Sequence, residues 1–315
     1  MWRQQDAPAT AGAAERSEVP LICFTVFSPA AVGASLFALP LGGGAPVAAA
    51  VALMVTAGML ASIAHLARPL RAPRSLAHLG GSWLSCEILV VSAFWALAVL
   101  WLACELGACG MLGGGFPWAA AASAFHGAAV VVGIVLLWVI ARAYRVHGQP
   151  AWDGSDTLWE LVAGALGSGG AVATAVAAGQ GVAGFGGPLP LALLGAVALI
   201  GLAASSALAR FSSGRRLRRV GELADLERTP RALAARDALA AGEPRSYRCL
   251  NAIAIAFSLI AFGAGLLLLS GGMAASAVLV ALVLCALFEL AAQASLRNRF
   301  YSLARHARYA AVPRR

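Results

Sequence analysis

The chain reads as an all-α polytopic membrane protein, a bundle of eight transmembrane helices, and three observations predict it. Hydrophobic residues make up 60% of the 315 and charged residues 12%, against roughly 45–50% and about 25% in ordinary soluble domains. Eight apolar runs are each long enough to cross the hydrocarbon core, which takes roughly 20 helical residues. The runs are continuous, as in "AIAIAFSLIAFGAGLLLL", whereas the strands of a membrane β-barrel alternate apolar and polar residues over about ten positions.

In chain order, residues 1–19 form a polar tail of mixed charge. It lacks the basic region, short apolar core and small-residue cleavage site of a secretory signal, so the first span is expected to be retained. The expected spans are Pro20–Pro40, Ala45–Leu66, Trp83–Cys104, Trp118–Ala141, Thr157–Gly179, Leu189–Ala209, Leu250–Ser270 and Ala274–Leu296. Together they make a membrane domain over 20–301, interrupted by an extramembrane loop at 211–247 and followed by a basic tail at 302–315. Within that loop Thr229 as cap, Pro230 at the first helical position and Gly242 past the end predict a short surface helix. The turns "LGGGAP", "CGMLGGGFP" and "GFGGPLP" read as tight connectors on one side of the bilayer.

Net charge is +9, with 23 basic residues, all of them arginine, and their placement is one-sided. The N-terminal tail, the turns after spans two and four, the Arg210–Arg248 connection and the C-terminal tail carry them. The opposite side has Glu105 and no arginine. Basic residues in short loops and at helix ends mark the cytoplasmic face, so both termini are expected in the cytoplasm, with the chain in a bacterial inner membrane. Arginines at helix ends beside lipid do not form a nucleic-acid surface. Trp83, Trp152 and Trp159 are expected at the basic rim, with Trp101 and Trp118 at the other, as an interfacial belt.

The six cysteines show no C-x-x-C pair and no iron–sulfur run. No cluster or metal site is expected in this chain. Cys104 and Cys109 lie close enough to pair if their side is oxidising, and otherwise serve as small apolar residues.

Ionisable groups inside a membrane are functional candidates, since each costs at least about 2.5–3.5 kcal/mol at a helix centre. Glu87 falls four residues past Trp83, about 6 Å inside the basic rim at helical rise. His65 closes span two at the same rim, and Glu160 and Glu289 lie towards it. His126, mid-span in "SAFHGAAV", reads as a satisfied packing residue, and no haem is expected because His65 and His126 differ in depth. A histidine and a carboxylate beside arginines at a lipid-accessible rim suit quinol oxidation, which needs a partner for each hydroxyl and a proton acceptor of matched pKa. Two other classes stay open: a proton-coupled secondary transporter using Glu87, Glu160 and Glu289, and a structural anchor with no quinone site. Transporter sites sit near the midplane, which weighs against the first.

Four stretches, "EVPLICFTVFSPAAVGA", "HLARPLRAPRSLAHLGGSWLSCEI", "ARAYRVHGQPAW" and "ELAAQASLRNRFY", resemble the membrane anchor subunit of the dimethyl sulfoxide reductase family, part of the complex iron–sulfur molybdoenzymes. The resemblance implies a haem-free eight-helix anchor that binds menaquinol as an exchangeable quinone. It also implies exchange of electrons with an iron–sulfur subunit joined to a molybdopterin catalytic subunit. His65, Glu87 and Arg71 fall on the family's motif, and Arg68 and Trp83 flank it as quinone-binding candidates. Glu160 and Glu289 are candidates for a proton path, and Arg74, Arg145, Arg215 and Arg216 for docking the partner. Several relatives are expected to face outward, yet the arginine bias points this rim to the cytoplasm, similar to the family's sulfite-oxidising branch. The alternative is that the arginines dock an acidic exported partner.

Overall fold

A chain in hydrocarbon must close its backbone hydrogen bonds on itself, and a helix does so within one segment. The structure is a computed structural model and describes residues 18–41, 44–65, 82–113, 115–145, 149, 151–184, 188–269 and 275–309. Its helices are α1 (Val19–Leu41), α2 (Gly44–His65), α3 (Trp83–Ala108), α4 (Trp118–Ala143), α5 (Asp156–Gly164), α6 (Gly170–Gly184), α7 (Pro188–Glu227), α8 (Pro230–Ala240), α9 (Arg245–Leu269) and α10 (Ala275–Tyr309). Eight helical segments are long and apolar enough to cross a membrane, in agreement with the eight expected spans. Among the described residues there is no strand.

Two apolar cores divide the bundle. One is built from α1 to α4 with Leu161 of α5, around Phe94, Trp101, Leu136 and Ile140. The other gathers α6, α7, α9 and α10 around Leu202, Ala261 and Leu282. α1 joins them, packing on α2, α4, α6 and α10. Alanine dominates the second core because small side chains let helices approach closely where lipid supplies no hydrophobic drive.

The fifth span has a break the sequence reading did not anticipate. α5 passes into α6 through a π-helical turn, Ala165–Gly169, whose residues are "ALGSG". That turn lies against α1. A Cβ on Gly169 would fall 2.5 Å from the Gly33 Cα, and one on Gly33 would run into the Ala165 carbonyl. Glycine is required at both positions by backbone-to-backbone contact.

The basic side is more ordered than a loop. α7 runs 40 residues, about 60 Å at helical rise, twice the hydrocarbon thickness, so its C-terminal half leaves the membrane still helical. The expected loop at 211–247 is therefore mostly the end of α7 plus α8. α8 starts as its sequence predicts, with Thr229 Oγ1 accepting from the Ala232 amide at 3.3 Å and Gly242 at φ +77° past its end. It packs on α7 and α10 around Ala151, Val220, Ala235, Leu239 and Leu303. This cap closes the basic end of the bundle.

One placement corrects the sequence reading. Trp101 is fully buried and stacks on His126 with ring centroids 3.9 Å apart; its indole donates to Glu105 Oε1 at 2.9 Å, so it is core and not belt. Cys104 and Cys109 are free thiols, one buried and one exposed. His126 is the packing residue expected, its Nε2 2.8 Å from the Ser35 carbonyl.

Gly169→Ala should destabilise the protein by about 1–3 kcal/mol through overpacking. Gly127→Ala, at a helical site with open space around it, should be neutral or stabilising by under about 1 kcal/mol. Thermal unfolding of both variants in detergent measures the contrast.

Candidate functional site

Three polar clusters occupy the basic half of the bundle, and α10 supplies a member of each. Along it Glu289, Gln293, Arg297 and Tyr301 recur every fourth residue, which places them on one helix face. All four are buried.

The outermost cluster surrounds Glu87, in the second turn of α3 and 7% exposed. It sits close enough to Tyr144 and Tyr301 for its charge to act on both hydroxyls. Tyr301 Oη donates to Tyr144 Oη at 2.7 Å and lies 3.4 Å from Thr25 Oγ1, linking α4, α10 and α1. Tyr144 caps the end of α4, and burial, then Tyr301 and Glu87 beside it, push its hydroxyl well above the usual tyrosine value. It is a neutral hydroxyl that can donate or accept. Tyr144, Trp152, Phe300 and Tyr301 form one edge-to-face and stacked aromatic group, and the Trp152 indole donates to the Phe300 carbonyl at 3.0 Å. Among the described residues Glu87 makes no ion pair.

The second cluster is an ion triad. Glu160 of α5, 2% exposed, lies between Arg216 of α7 and Arg297 of α10, themselves 3% and 2% exposed. Arg216 Nη1 donates to Oε1 at 2.5 Å, and Arg297 Nη1 is 3.5 Å from Oε2. Both guanidiniums lie over the Phe300 ring, at 5.4 and 5.7 Å. One carboxylate thus faces two cations, leaving a buried positive excess, and among the described residues Arg216 Nε and Nη2 have no hydrogen-bond partner. Just outside, Asp156 takes Arg219 at 3.1 Å and Arg215 at 3.6 Å.

Deeper along α10, Glu289 is fully buried and, among the described residues, held without a cation. It accepts from Gln293 Nε2 at 2.8 Å, Asn251 Nδ2 at 3.0 Å and Ser205 Oγ at 3.4 Å. Gly167 of the π-turn faces this carboxyl, and a side chain there would strike it and Ser205. The π-turn thereby leaves room for a polar cluster in the apolar phase.

The sequence-predicted residues divide accordingly. Glu87, Glu160 and Glu289 are buried as intramembrane groups, in three separate clusters. His65 ends α2, but its ring, like Arg68, Arg71 and Arg74, lies outside the described residues. Trp83 is 40% exposed on the outer surface, with the Arg142 guanidinium 4.8 Å from its ring and Trp138 edge-on at 5.3 Å. Arg145 and Arg215 are partly exposed and paired with Asp153 and Asp156. Arg216 is corrected: with its head bound to Glu160 it offers nothing to a docking partner. Tyr144, Tyr301, Arg297 and Asn251 were missed, although the four-residue spacing of "ELAAQASLRNRFY" carries two of them.

The chain matches the DMSO reductase anchor subunit family (DmsC) over residues 13–303 and belongs to it. Over 155 residues it is 31% identical to the C subunit of the anaerobic dimethyl sulfoxide reductase of Haemophilus influenzae, covering 46% of this protein and 53% of that one. It is 32% identical over 129 residues to the anaerobic dimethyl sulfoxide reductase chain YnfH of Escherichia coli, covering 39% and 41%. The matches thus span about half the length of these relatives or less. No solved structure matches.

Removing the central carboxylate should be severe. Glu160→Ala leaves two guanidiniums buried without a counter-charge and should cost about 3–5 kcal/mol, whereas replacing Glu160, Arg216 and Arg297 together by apolar residues of similar size should recover most of it. Chemical or thermal unfolding of the purified protein separates the two outcomes.

Proposed function

We propose that this anchor subunit binds menaquinol, or a related quinol, at its basic rim and passes the electrons to an iron–sulfur subunit joined to a molybdopterin catalytic subunit. The carrying observation is Glu87: a buried carboxyl in the second turn of α3, unpaired among the described residues, with the Tyr144 and Tyr301 hydroxyls beside it. A carboxyl so placed is expensive unless it has a task.

When bound, the quinol supplies two electrons and two protons on oxidation. Glu87 accepts one proton, and His65, at the matching end of α2, is the acceptor for the second. Tyr144 and Tyr301 hold the Glu87 side of the pocket through their shared hydrogen bond. Arg297, close enough to act on both tyrosines, supplies positive charge behind them. Electrons leave to the partner, since the six cysteines of this chain are not spaced for a cluster. The relatives' names point to dimethyl sulfoxide, a small S-oxide, as terminal acceptor for the complex, with electrons leaving the quinone pool; an N-oxide of similar size would suit the same direction of flow, and a sulfite-oxidising complex would run the same site in reverse. The one-sided arginines support a bacterial inner membrane location with both termini in the cytoplasm.

A fluorescent quinol-analogue inhibitor should bind the assembled complex and lose fluorescence. Glu87→Gln and His65→Ala should each weaken it by about 10- to 100-fold, the worth of a hydrogen bond to a charged group, and Tyr144→Phe less. Unchanged titrations in both of the first two variants would sink the site.

A further inference from the structure

At the basic rim a cleft of about 490 Å³ opens between α7 and α9. We propose that it is a headgroup site for a zwitterionic phospholipid of the phosphatidylethanolamine class, with the phosphate on Arg210 and Arg248 and the ammonium on Glu243.

The cleft is built for two opposite charges. Arg210 and Arg248 line it, and neither makes an ion pair among the described residues. Two guanidiniums at headgroup depth suit a phosphodiester. Glu243 lines the same cleft, and its Oε1 is buried without a hydrogen-bond partner among the described residues. A simple anion would be repelled by that oxygen, whereas an ammonium satisfies it. The Tyr247 hydroxyl, 3% exposed as a residue, makes no hydrogen bond of ordinary geometry, with Ser206 alongside. It is a spare donor for a phosphate or glycerol oxygen.

Depth orders the lining in the same sense. Arg210 and Arg248 stand exposed at the mouth, while Ser206 and Asn251, both 7% exposed, form the wall. Ala252 and Ile255 line the inner end, and beyond them Leu259 and Ile260 are exposed on the surface of α9. An acyl tail leaving the cleft would follow that apolar strip. Ser206 Oγ donates to Asn251 Oδ1 at 2.8 Å and Asn251 in turn holds Glu289, so the site abuts a rigid internal network.

The test is native mass spectrometry of the full-length protein in detergent with equal amounts of phosphatidylethanolamine and phosphatidylglycerol. Wild type should retain one phosphatidylethanolamine in preference. Arg210→Ala with Arg248→Ala should lower that retention about thirtyfold, at about a fifth of the affinity remaining per arginine. Glu243→Gln, which keeps the fold and the size of the side chain, should reverse the preference towards the anionic lipid. Inorganic phosphate should not displace the lipid, because it reaches neither Glu243 nor the apolar strip. Equal retention in the double variant, an unchanged preference in Glu243→Gln, displacement by free phosphate, or a quinone retained in place of the lipid would each overturn the proposal.

Discussion

Glu160 is the contact that the basic half of the bundle depends on. Its carboxylate, 2% exposed, ties α5 to α7 through Arg216 and to α10 through Arg297, at a depth where a lone charge of either sign is untenable. Once these helices are fixed, Phe300 is set under both guanidiniums and Tyr301 is turned towards Tyr144. The pocket wall beside Glu87 follows from that placement. One carboxylate for two arginines leaves a buried positive excess in the rim, behind the two tyrosines.

The same reasoning explains why the apolar half is so plain. Helices in lipid gain little by burying leucine against leucine, so contact area comes from close approach. α1 meets the π-turn at Gly33 and Gly169 with no side chain between them. The π-turn is what separates the α5 register, which aims Glu160 at the arginines, from the α6 register, which packs alanines into the second core. A break of this kind inside a helix tends to occur at functional positions, and here it borders Glu289.

How much of this was legible follows from the signal each feature leaves. Hydropathy runs reveal spans, so all eight could be located, although α7 and α10 continue to Glu227 and Tyr309, well past the expected ends at Ala209 and Leu296. Thr229, Pro230 and Gly242 carry local cap chemistry, so α8 was readable as well. Glu87, Glu160 and Glu289 stood out because carboxylates are rare in apolar helices. Which partner each would take was not readable, because ion pairing between α5, α7 and α10 depends on helix rotation, and sequence gives only depth. Arg216 looked like the other arginines of "SSGRRLRRV" and is the one that turns inward. Trp101 looked like an interfacial tryptophan because depth alone was known; its burial against His126 is a matter of which face meets α4. The π-turn has no periodic signature, although a "GSGG" run in a span hints at unusual backbone.

Quinol chemistry beside Glu87, at the rim where α3, α4 and α10 meet, is the central claim. A photoreactive quinone analogue, cross-linked to the assembled complex in membranes and mapped by peptide mass spectrometry, tests it directly. Label is expected on the first turns of α3 and around Tyr144 and Tyr301, with suppression by excess quinol. Label confined to the arginine-free rim, or to the Glu289 and Asn251 region between α7 and α9, would contradict it.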